Sequence, residues 1–206
     1  MTVRILPIVE GDGEVYAVRD LIIRVAAEFW NPNGYVEILK PIKQPRNKII
    51  RSDDLERFVE SAAIKLREKG GGAIFVLLDS DGDCPATLGP DLLESANRVC
   101  SQMKIPVSVV LAHREYEAWF LAAAASLSGV GSLPENLEPH ANPENKSGAK
   151  EWLNSRMTDK YSPTRHQPAF TKVFDLKTAR ANADSFDKCC RDIVRLCQEL
   201  EQQNPA

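Results

Sequence analysis

The stretch Ala73-Ile-Phe-Val-Leu-Leu-Asp-Ser-Asp-Gly-Asp83 carries the clearest information about the architecture of the chain. Its first six residues are all apolar, which is typical of a β-strand that is buried on both faces. Such strands occur in parallel sheets that helices cover on both sides. The apolar run ends at Asp79, Asp81 and Asp83, which alternate with a serine and a glycine. We therefore expect a central parallel strand with an acidic loop at its carboxyl end.

The segments on either side of this strand alternate between strand and helix patterns. Residues 5–9 form a short apolar run, residues 105–112 form another, and Tyr35 to Ile42 alternates like a strand. Apolar residues recur every three or four positions from Val15 to Phe29 and again after Ser52, as they do in helices with one buried face. This order predicts an α/β fold with a mainly parallel four-stranded sheet flanked by helices.

The chain is expected to form one α/β domain with a C-terminal helical extension. Residues 1–125 contain the strand–helix alternation, whereas residues 126–206 begin with an irregular connection rich in glycine and proline. Tyr161 to Asp175 has the pattern of a loop, and Asn182 to about Gln202 has the pattern of a helix. We expect the helices of this second part to pack on the same domain.

Composition places the chain among globular proteins. Of its 206 residues, 43% are hydrophobic and 27% are charged, which excludes intrinsic disorder. Charged residues interrupt every apolar stretch before a membrane span is reached, and the first apolar run is too short for a secretory signal, so the cytoplasm is expected. The net charge of −3 argues against a strongly basic coat for nucleic acids. The five cysteines contain no CxxC pair and are expected to be reduced, mostly buried thiols.

Acidic residues follow three of the predicted strands. They are Glu10 and Glu14 after the first strand, Asp79, Asp81 and Asp83 after the central strand, and Glu115 and Glu117 after the last, where a helix is expected to begin at His113. The carboxyl ends of parallel strands meet at one edge, where so many carboxylates repel one another unless a cation lies among them. Oxygen ligands of this kind suit Mg²⁺ or Mn²⁺. The alternative is that some acids are solvated loop residues or helix caps, as Asp12 and Asp53 could be.

The acidic motifs resemble those of a known domain. Residues 8–14, Ile-Val-Glu-Gly-Asp-Gly-Glu, and residues 77–83, Leu-Leu-Asp-Ser-Asp-Gly-Asp, are similar to the two motifs of the TOPRIM domain. That domain occurs in topoisomerases, bacterial primases, small RNA-maturation nucleases and overcoming-lysogenization-defect (OLD) nucleases. Nearly the whole chain resembles an uncharacterised TOPRIM-like family of bacterial proteins of about this length. The further matches are Glu117-Ala-Trp-Phe-Leu-Ala122, Tyr161, His166-Gln167, Phe170, Asp175 and Ser185-Phe186.

The resemblance implies a compact Rossmann-like sheet that binds one or two divalent cations. Asp79 and Asp81 match the metal-binding aspartates of TOPRIM enzymes, and Asp83 extends the same motif as a further candidate ligand. Glu10 matches the first-motif glutamate, which acts as a general acid/base or as a metal ligand.

OLD nucleases imply three more site residues. Their second acid corresponds to Glu14 and their later acid is best matched by Glu117, which is expected to complete the metal shell directly or through water. Their late lysine, which lies near the scissile phosphate, could correspond to Lys146 or Lys150. One departure is Gly13, since TOPRIM chains usually have threonine or a hydrophobic residue there, and this puts the rigidity of the loop in question.

The residues and the resemblance together predict a metal-dependent nuclease that cleaves DNA or RNA. Two cations could activate water, stabilise the phosphate and assist the leaving oxygen. A basic segment could approach a nucleic-acid backbone or could simply be solvated; its members are Lys43, Arg46, Lys48 and Arg51. A non-catalytic alternative is a partner subunit of an ATPase in a bacterial defence or toxin-type system, which the acidic net charge favours.

Other aspartate motifs fit less well. A haloacid-dehalogenase phosphatase needs threonine where this chain has Asp83, and an EF-hand needs glycine and glutamate where it has Cys84 and Pro90. A sugar-nucleotide transferase would explain Asp79 and Asp81 but not Glu10. No Walker phosphate loop is present, so ATP hydrolysis by this chain is not expected.

Overall fold

A parallel β-sheet organises the chain, as the sequence predicted. The computed structural model describes residues 2–31, 33–145 and 147–203. The strands within these ranges are β1 (Val3–Val9), β2 (Val36–Ile38), β3 (Ile42–Lys43), β4 (Ala73–Asp79) and β5 (Val107–Ala112). Their order is β2-β1-β4-β5, and β3 also pairs with β1. All pairings are parallel, so the carboxyl ends of the strands lie at one edge.

Helices cover both faces of this sheet. They are α1 (Asp12–Phe29), α2 (Arg46–Ile49), α3 (Ser52–Glu68), α4 (Pro85–Met103), α5 (Ala118–Ala122), α6 (Ala149–Asn154), α7 (Pro163–Thr171), α8 (Leu176–Asn182) and α9 (Asp184–Gln203), with a short 3₁₀ helix at Ala124–Leu127. Residues of α2, α3 and α4 share a core with one face, and those of α1 and α5 to α9 share a core with the other. The result is a three-layer, Rossmann-like α/β fold. No helix in the described ranges is long and apolar enough to cross a membrane.

The unbroken apolar run of β4 has a direct structural reason. Phe75 and Leu77 belong to the core beneath α1 and α9, whereas Ile74, Val76 and Leu78 belong to the core beneath α3 and α4. Each residue of the strand is buried, because β1 and β5 flank it and helices lie on both sides. Burial on both faces removes the polar alternation that a half-exposed strand would show.

The predicted strand from Tyr35 to Ile42 is divided into β2 and β3. Ile5 of β1 pairs with Ile38, and Ile8 pairs with Ile42, so the partner segment has one more residue than β1 between these pairs. Such an extra residue is accommodated by a bulge. The basic segment that follows is not wholly irregular, since it contains β3 and the single turn of α2.

The C-terminal part differs from the prediction at two places. The expected loop from Tyr161 to Asp175 contains α7, which begins with Pro163 and includes Pro168. Proline is well tolerated in the first turn of a helix, so Pro163 starts the helix and does not prevent it. The expected helix from Asn182 to about Gln202 is α9, which begins two residues later at Asp184, and the separate helix α8 ends at Asn182.

Candidate metal and phosphodiester site

Two acids meet where β1 and β4 end side by side. Val9 pairs with Leu77 in the sheet. Glu10, which follows β1, and Asp79, which ends β4, therefore lie at the same edge. The carboxylate of Glu10 accepts a hydrogen bond from the backbone of Asp79. This edge is where ligands collect in open parallel sheets.

Glu10 is partly buried and incompletely satisfied. Its Oε2 atom is buried and has no hydrogen-bond partner. Burial, followed by the negative charges of Glu14 and Asp81, raises the pKa of Glu10 from 4.5 to about 7, while Arg46 acts in the opposite direction. A carboxyl group with this pKa can exchange a proton near neutral pH.

Glu14 reaches the same edge from the first turn of α1, where its side chain is buried. Two glycines provide the space. A Cβ atom on Gly11 would lie 2.2 Å from Oε2 of Glu14, and one on Gly13 would lie 1.7 Å from Oε1 of Gln167. Gln167 uses this space to donate a hydrogen bond of 2.8 Å from Nε2 to Oε1 of Glu14. Gly13, the departure from the TOPRIM pattern, thus allows α7 to approach α1.

Asp79 is almost completely enclosed. Its Oδ1 atom accepts a hydrogen bond of 2.7 Å from the backbone nitrogen of Tyr116, and its Oδ2 atom lies 3.4 Å from Nζ of Lys150. Burial raises the pKa of Asp79 well above its ordinary value; Lys150 opposes this, and Glu117 and Glu10 add to it. The carboxyl group is therefore held in place but only partly compensated for its loss of water.

Glu117 lies directly before α5 and is fully buried. The prediction that this helix begins at His113 is wrong, since α5 begins at Ala118. Arg114 has a φ of 66°, which a right-handed helix does not allow, so a helix cannot run through it. The hydroxyl of Tyr161 donates a hydrogen bond of 2.8 Å to Oε1 of Glu117, whereas Oε2 has no hydrogen-bond partner. Burial raises the pKa of Glu117 to about 7, against the opposing effect of Lys150.

Lys150 places its ammonium group among these acids. Its Nζ atom lies 3.4 Å from Asp79, 3.5 Å from Glu117 and 3.9 Å from Glu115. Burial alone would lower the pKa of Lys150, but the surrounding carboxylates outweigh it and raise that pKa. The side chain is 37% exposed, so it also borders solvent.

Glu115 has a structural role at the start of α6. Its carboxylate accepts hydrogen bonds from the backbone nitrogens of Gly148, Ala149 and Lys150, at 3.1 to 3.2 Å. A negative charge at a helix N-terminus is favourable, and here it fixes the helix that carries Lys150. Glu115 is thus a cap, which was the alternative considered for such acids.

Asp81 and Asp83 form ion pairs with Arg46 and not with Lys150. Both are more than half exposed, and they pair with Arg46 at 3.2 and 2.5 Å. Arg46 also donates hydrogen bonds to the backbone oxygens of Asp79 and Ser80. The guanidinium therefore binds the acidic loop of its own chain. Lys43, from the same basic segment, pairs with Asp12 at 2.6 Å.

The structure thus brings together Glu10, Glu14, Asp79, Glu117 and Lys150, and it places Asp81 and Asp83 at the exposed margin. We refer to the four buried or partly buried acids Glu10, Glu14, Asp79 and Glu117 as the acidic cluster. Lys146, the other candidate lysine, lies outside the described residues.

The acidic cluster fits Mg²⁺ or Mn²⁺ in its chemistry. All donors are carboxylate oxygens, which these cations prefer, and the buried oxygens Glu10 Oε2 and Glu117 Oε2 lack a hydrogen-bond donor. In residues 2–31, 33–145 and 147–203, however, no three His, Cys, Asp or Glu side chains are positioned as a ready-made metal site. Lys150 lies against two of the acids, so a bound cation would require side chains to rearrange.

Three residues of this region were not predicted to contact the site acids. Arg46 was one of four basic residues in an apparent loop, and Tyr161 and Gln167 were matched only as parts of a resemblance. Their contacts with site acids span between 33 and 153 positions. A periodicity within one element carries no signal for contacts of that range.

Comparison with known proteins identifies a family. The searches of curated proteins and of solved structures found no match to the chain. A family model described as a domain of unknown function (DUF4276) matches residues 9–193. The matched segment extends from the end of β1 into α9 and includes every residue of the acidic cluster together with Lys150. Because the match covers far more than half of the sequence, the chain belongs to the DUF4276 family.

Proposed function

We propose that the chain is a metal-dependent phosphodiester hydrolase, a TOPRIM-type nuclease that acts on DNA or RNA in the cytoplasm. The observation that carries this proposal is the acidic cluster itself. Four acids, which follow β1, lie in α1, end β4 and precede α5, come together with Lys150 at the carboxyl edge of a parallel sheet. Buried charges of one sign are costly, and a fold without a ligand there would have little physical reason to collect them.

The residues that would hold Mg²⁺ or Mn²⁺ are those of the acidic cluster, with Asp81 and Asp83 on the adjoining loop. When bound, such a cation would supply charge neutralisation for the phosphate and would lower the pKa of a bound water. Its donors are spread over several elements, so rigid packing of the sheet and helices would define their relative positions.

The chain's own residues suit the remaining tasks of the reaction. Glu10 has an unpartnered Oε2 atom and, without metal, a pKa raised to about 7, which suits a general acid or base as the alternative to holding the cation. Lys150 keeps its positive charge and borders solvent, so its Nζ atom can donate a hydrogen bond to a phosphate oxygen. Burial of Asp79 and Glu117 keeps water away from the base of the site.

A cleavage assay tests the proposal. Single- and double-stranded DNA and RNA are incubated with the protein and Mg²⁺ or Mn²⁺, with EDTA as the metal-free reference. We expect metal-dependent cleavage by the wild type and a loss of at least about a hundredfold in Asp79→Asn, since its carboxylate is at the centre of the cluster. Glu60→Gln, which changes an exposed acid of α3, is the matched control. Equal rates in wild type and Asp79→Asn would refute the assignment.

One observation favours a second candidate function. Lys150 already neutralises part of the charge of Asp79 and Glu117 without a metal. The chain could then use the TOPRIM-like scaffold as a non-catalytic partner subunit, for example of an ATPase in a bacterial defence system. Calorimetric titration with Mn²⁺ separates the two functions. The nuclease must bind the ion and lose that binding in Asp79→Asn, whereas a scaffold subunit shows no specific binding.

A further inference from the structure

The C-terminal part of the chain touches the acidic cluster through two neutral side chains. Tyr161, which precedes α7, donates its hydroxyl hydrogen to Glu117, and Gln167 of α7 donates from its amide to Glu14. Both donors are buried, and both bonds measure 2.8 Å. Each bond takes one oxygen, Oε1, of the acid that it holds. The second oxygen, Oε2, is not used by these bonds, and in Glu117 it lies 3.5 Å from Nζ of Lys150.

Tyr161 is fixed before it meets Glu117. Its ring stacks on His166 with a centroid distance of 5.4 Å and an interplanar angle of 29°, and Phe170 lies 6.4 Å away. Its backbone nitrogen donates to the side chain of Asn154 at 2.8 Å. Because the ring and the backbone of Tyr161 are both held in place, its hydroxyl loses little further conformational freedom when it binds the carboxylate of Glu117. The hydrogen bond therefore has a defined direction.

Gln167 is fixed by the fit of α7 against α1. The missing side chain of Gly13 leaves the space that the Gln167 amide occupies, and a Cβ there would also lie 3.1 Å from Pro163. The amide of Gln167 is fully buried and its Oε1 atom has no hydrogen-bond partner. The packing of α7 against α1 leaves the Gln167 amide oxygen buried without a hydrogen bond, which lowers stability. The same packing places the amide nitrogen on Glu14, so stability alone does not explain it.

We infer that Tyr161 and Gln167 are positioning residues, which orient Glu117 and Glu14 so that their second carboxylate oxygens face the cation site of the proposed nuclease. This inference rests on the proposed function, because it assigns the two residues to that same site. The inference makes the C-terminal helical extension part of the site, because the hydrogen bonds that hold Glu117 and Glu14 are donated by residues of that extension. Residues that orient metal ligands in this way commonly change metal affinity by about 10- to 100-fold when altered.

The experiment uses the full-length protein and two nearly isosteric changes, Tyr161→Phe and Gln167→Met. Thr171→Val is the matched control, because it also removes one buried side-chain hydrogen bond between α7 and the α/β part, that of Thr171 with Tyr116 at 2.9 Å. Mn²⁺ affinity is measured by calorimetry, and the electron paramagnetic resonance spectrum of bound Mn²⁺ reports its ligand geometry. Melting temperatures in EDTA report the structural cost of each change.

We expect Tyr161→Phe and Gln167→Met to weaken Mn²⁺ binding by about tenfold and to alter the Mn²⁺ spectrum. Thr171→Val should lower the melting temperature to a similar extent while leaving affinity and spectrum unchanged. If the wild type binds Mn²⁺ and both variants bind it as tightly as Thr171→Val, the inference is refuted while the proposed function stands. If the wild type itself binds no Mn²⁺ and cleaves nothing, the proposed function fails and the inference fails with it.

Discussion

Replacing Glu10 by glutamine should stabilise the metal-free protein at neutral and alkaline pH. Folding places the Glu10 carboxyl beside Glu14 and Asp81 and removes it from much of its water, which raises its pKa from 4.5 to about 7. An acid whose pKa is raised in the folded state makes the protein less stable when it ionises. Glutamine keeps the shape and the hydrogen-bonding oxygen but carries no charge.

The pH dependence follows from the direction of this shift. Below the unfolded-state value of 4.5 the carboxyl is protonated in both states, so wild type and Glu10→Gln should be equally stable with respect to this group. Between 4.5 and about 7 the unfolded state releases its proton first, and wild-type stability falls as the pH rises. Above about 7 the penalty is complete and constant. The advantage of Glu10→Gln should therefore grow across that window and then level off.

The size of the effect can be bounded. The full difference between 4.5 and about 7 corresponds to roughly 3 kcal/mol. Because Glu10 is only partly buried, solvent screens its neighbours, and a gain of about 1–2 kcal/mol near pH 8 is the realistic expectation. The change also removes the electrostatic repulsion between Glu10 and its negative neighbours Glu14 and Asp81.

Urea unfolding in EDTA at about pH 5 and about pH 8 measures this gain. Glu60→Gln is again the control for loss of an exposed charge and should change stability by less than about 0.5 kcal/mol. Excess Mg²⁺ should then stabilise the wild type more than Glu10→Gln, because a cation binds the carboxylate better than the amide. A Glu10→Gln protein that is no more stable than wild type at pH 8 in EDTA would show that the Glu10 charge costs the fold nothing.

Three further outcomes follow from single contacts. Arg46→Met should lower the free energy of unfolding in urea by about 1–3 kcal/mol, because Arg46 binds both the backbone and the carboxylates of the acidic loop. The same change should make that loop more susceptible to limited proteolysis, and unchanged proteolysis would contradict this. Gly13→Ala should cost about 1–3 kcal/mol and should weaken Mn²⁺ binding as Gln167→Met does, because its Cβ overlaps the Gln167 amide; a neutral change in both would contradict the packing described. In native protein the exposed thiol of Cys84 should react rapidly with a disulfide reagent, because backbone hydrogen bonds lower its pKa. The other four cysteines are buried and their pKa values are raised, so the rapid reaction should disappear in Cys84→Ser. Rapid reaction of several thiols would refute this.

The sheet could be predicted from sequence because its information is local. Six consecutive apolar residues before Asp79 leave little choice other than a strand buried on both faces, and the acids after three of the strands mark the carboxyl edge. The helix α7 could not be predicted as readily, because its two prolines, Pro163 and Pro168, dilute the helical pattern over only nine residues. The start of α5 was misplaced because nothing in the local pattern reveals that Arg114 adopts a positive φ.

Part of the candidate site could also be predicted from local sequence patterns, and part could not. Glu10 and Asp79 follow predicted strands, so their proximity could be expected from topology alone. The position of Lys150 could not, because α5 and the short 3₁₀ helix lie between it and β5 in the chain and its place depends on the cap that Glu115 provides. Arg46 was expected to face solvent or a nucleic acid, whereas the acidic loop of the same chain attracts it.

The electrostatics of the acidic cluster favour the proposal that it binds a cation. Two cationic groups, Lys150 beside Asp79 and Glu117, and Arg46 near Glu10, do not balance four carboxylates, and burial reduces the water that would screen the remaining charge. In the metal-free protein, burial raises the pKa values of Glu10, Asp79 and Glu117, so these carboxyl groups keep their protons to a higher pH than exposed ones do. A divalent cation would replace those protons and would do so more strongly as the pH rises. Apolar side chains in the same positions would stabilise the fold at lower cost, which supports the proposal that the acids bind a cation.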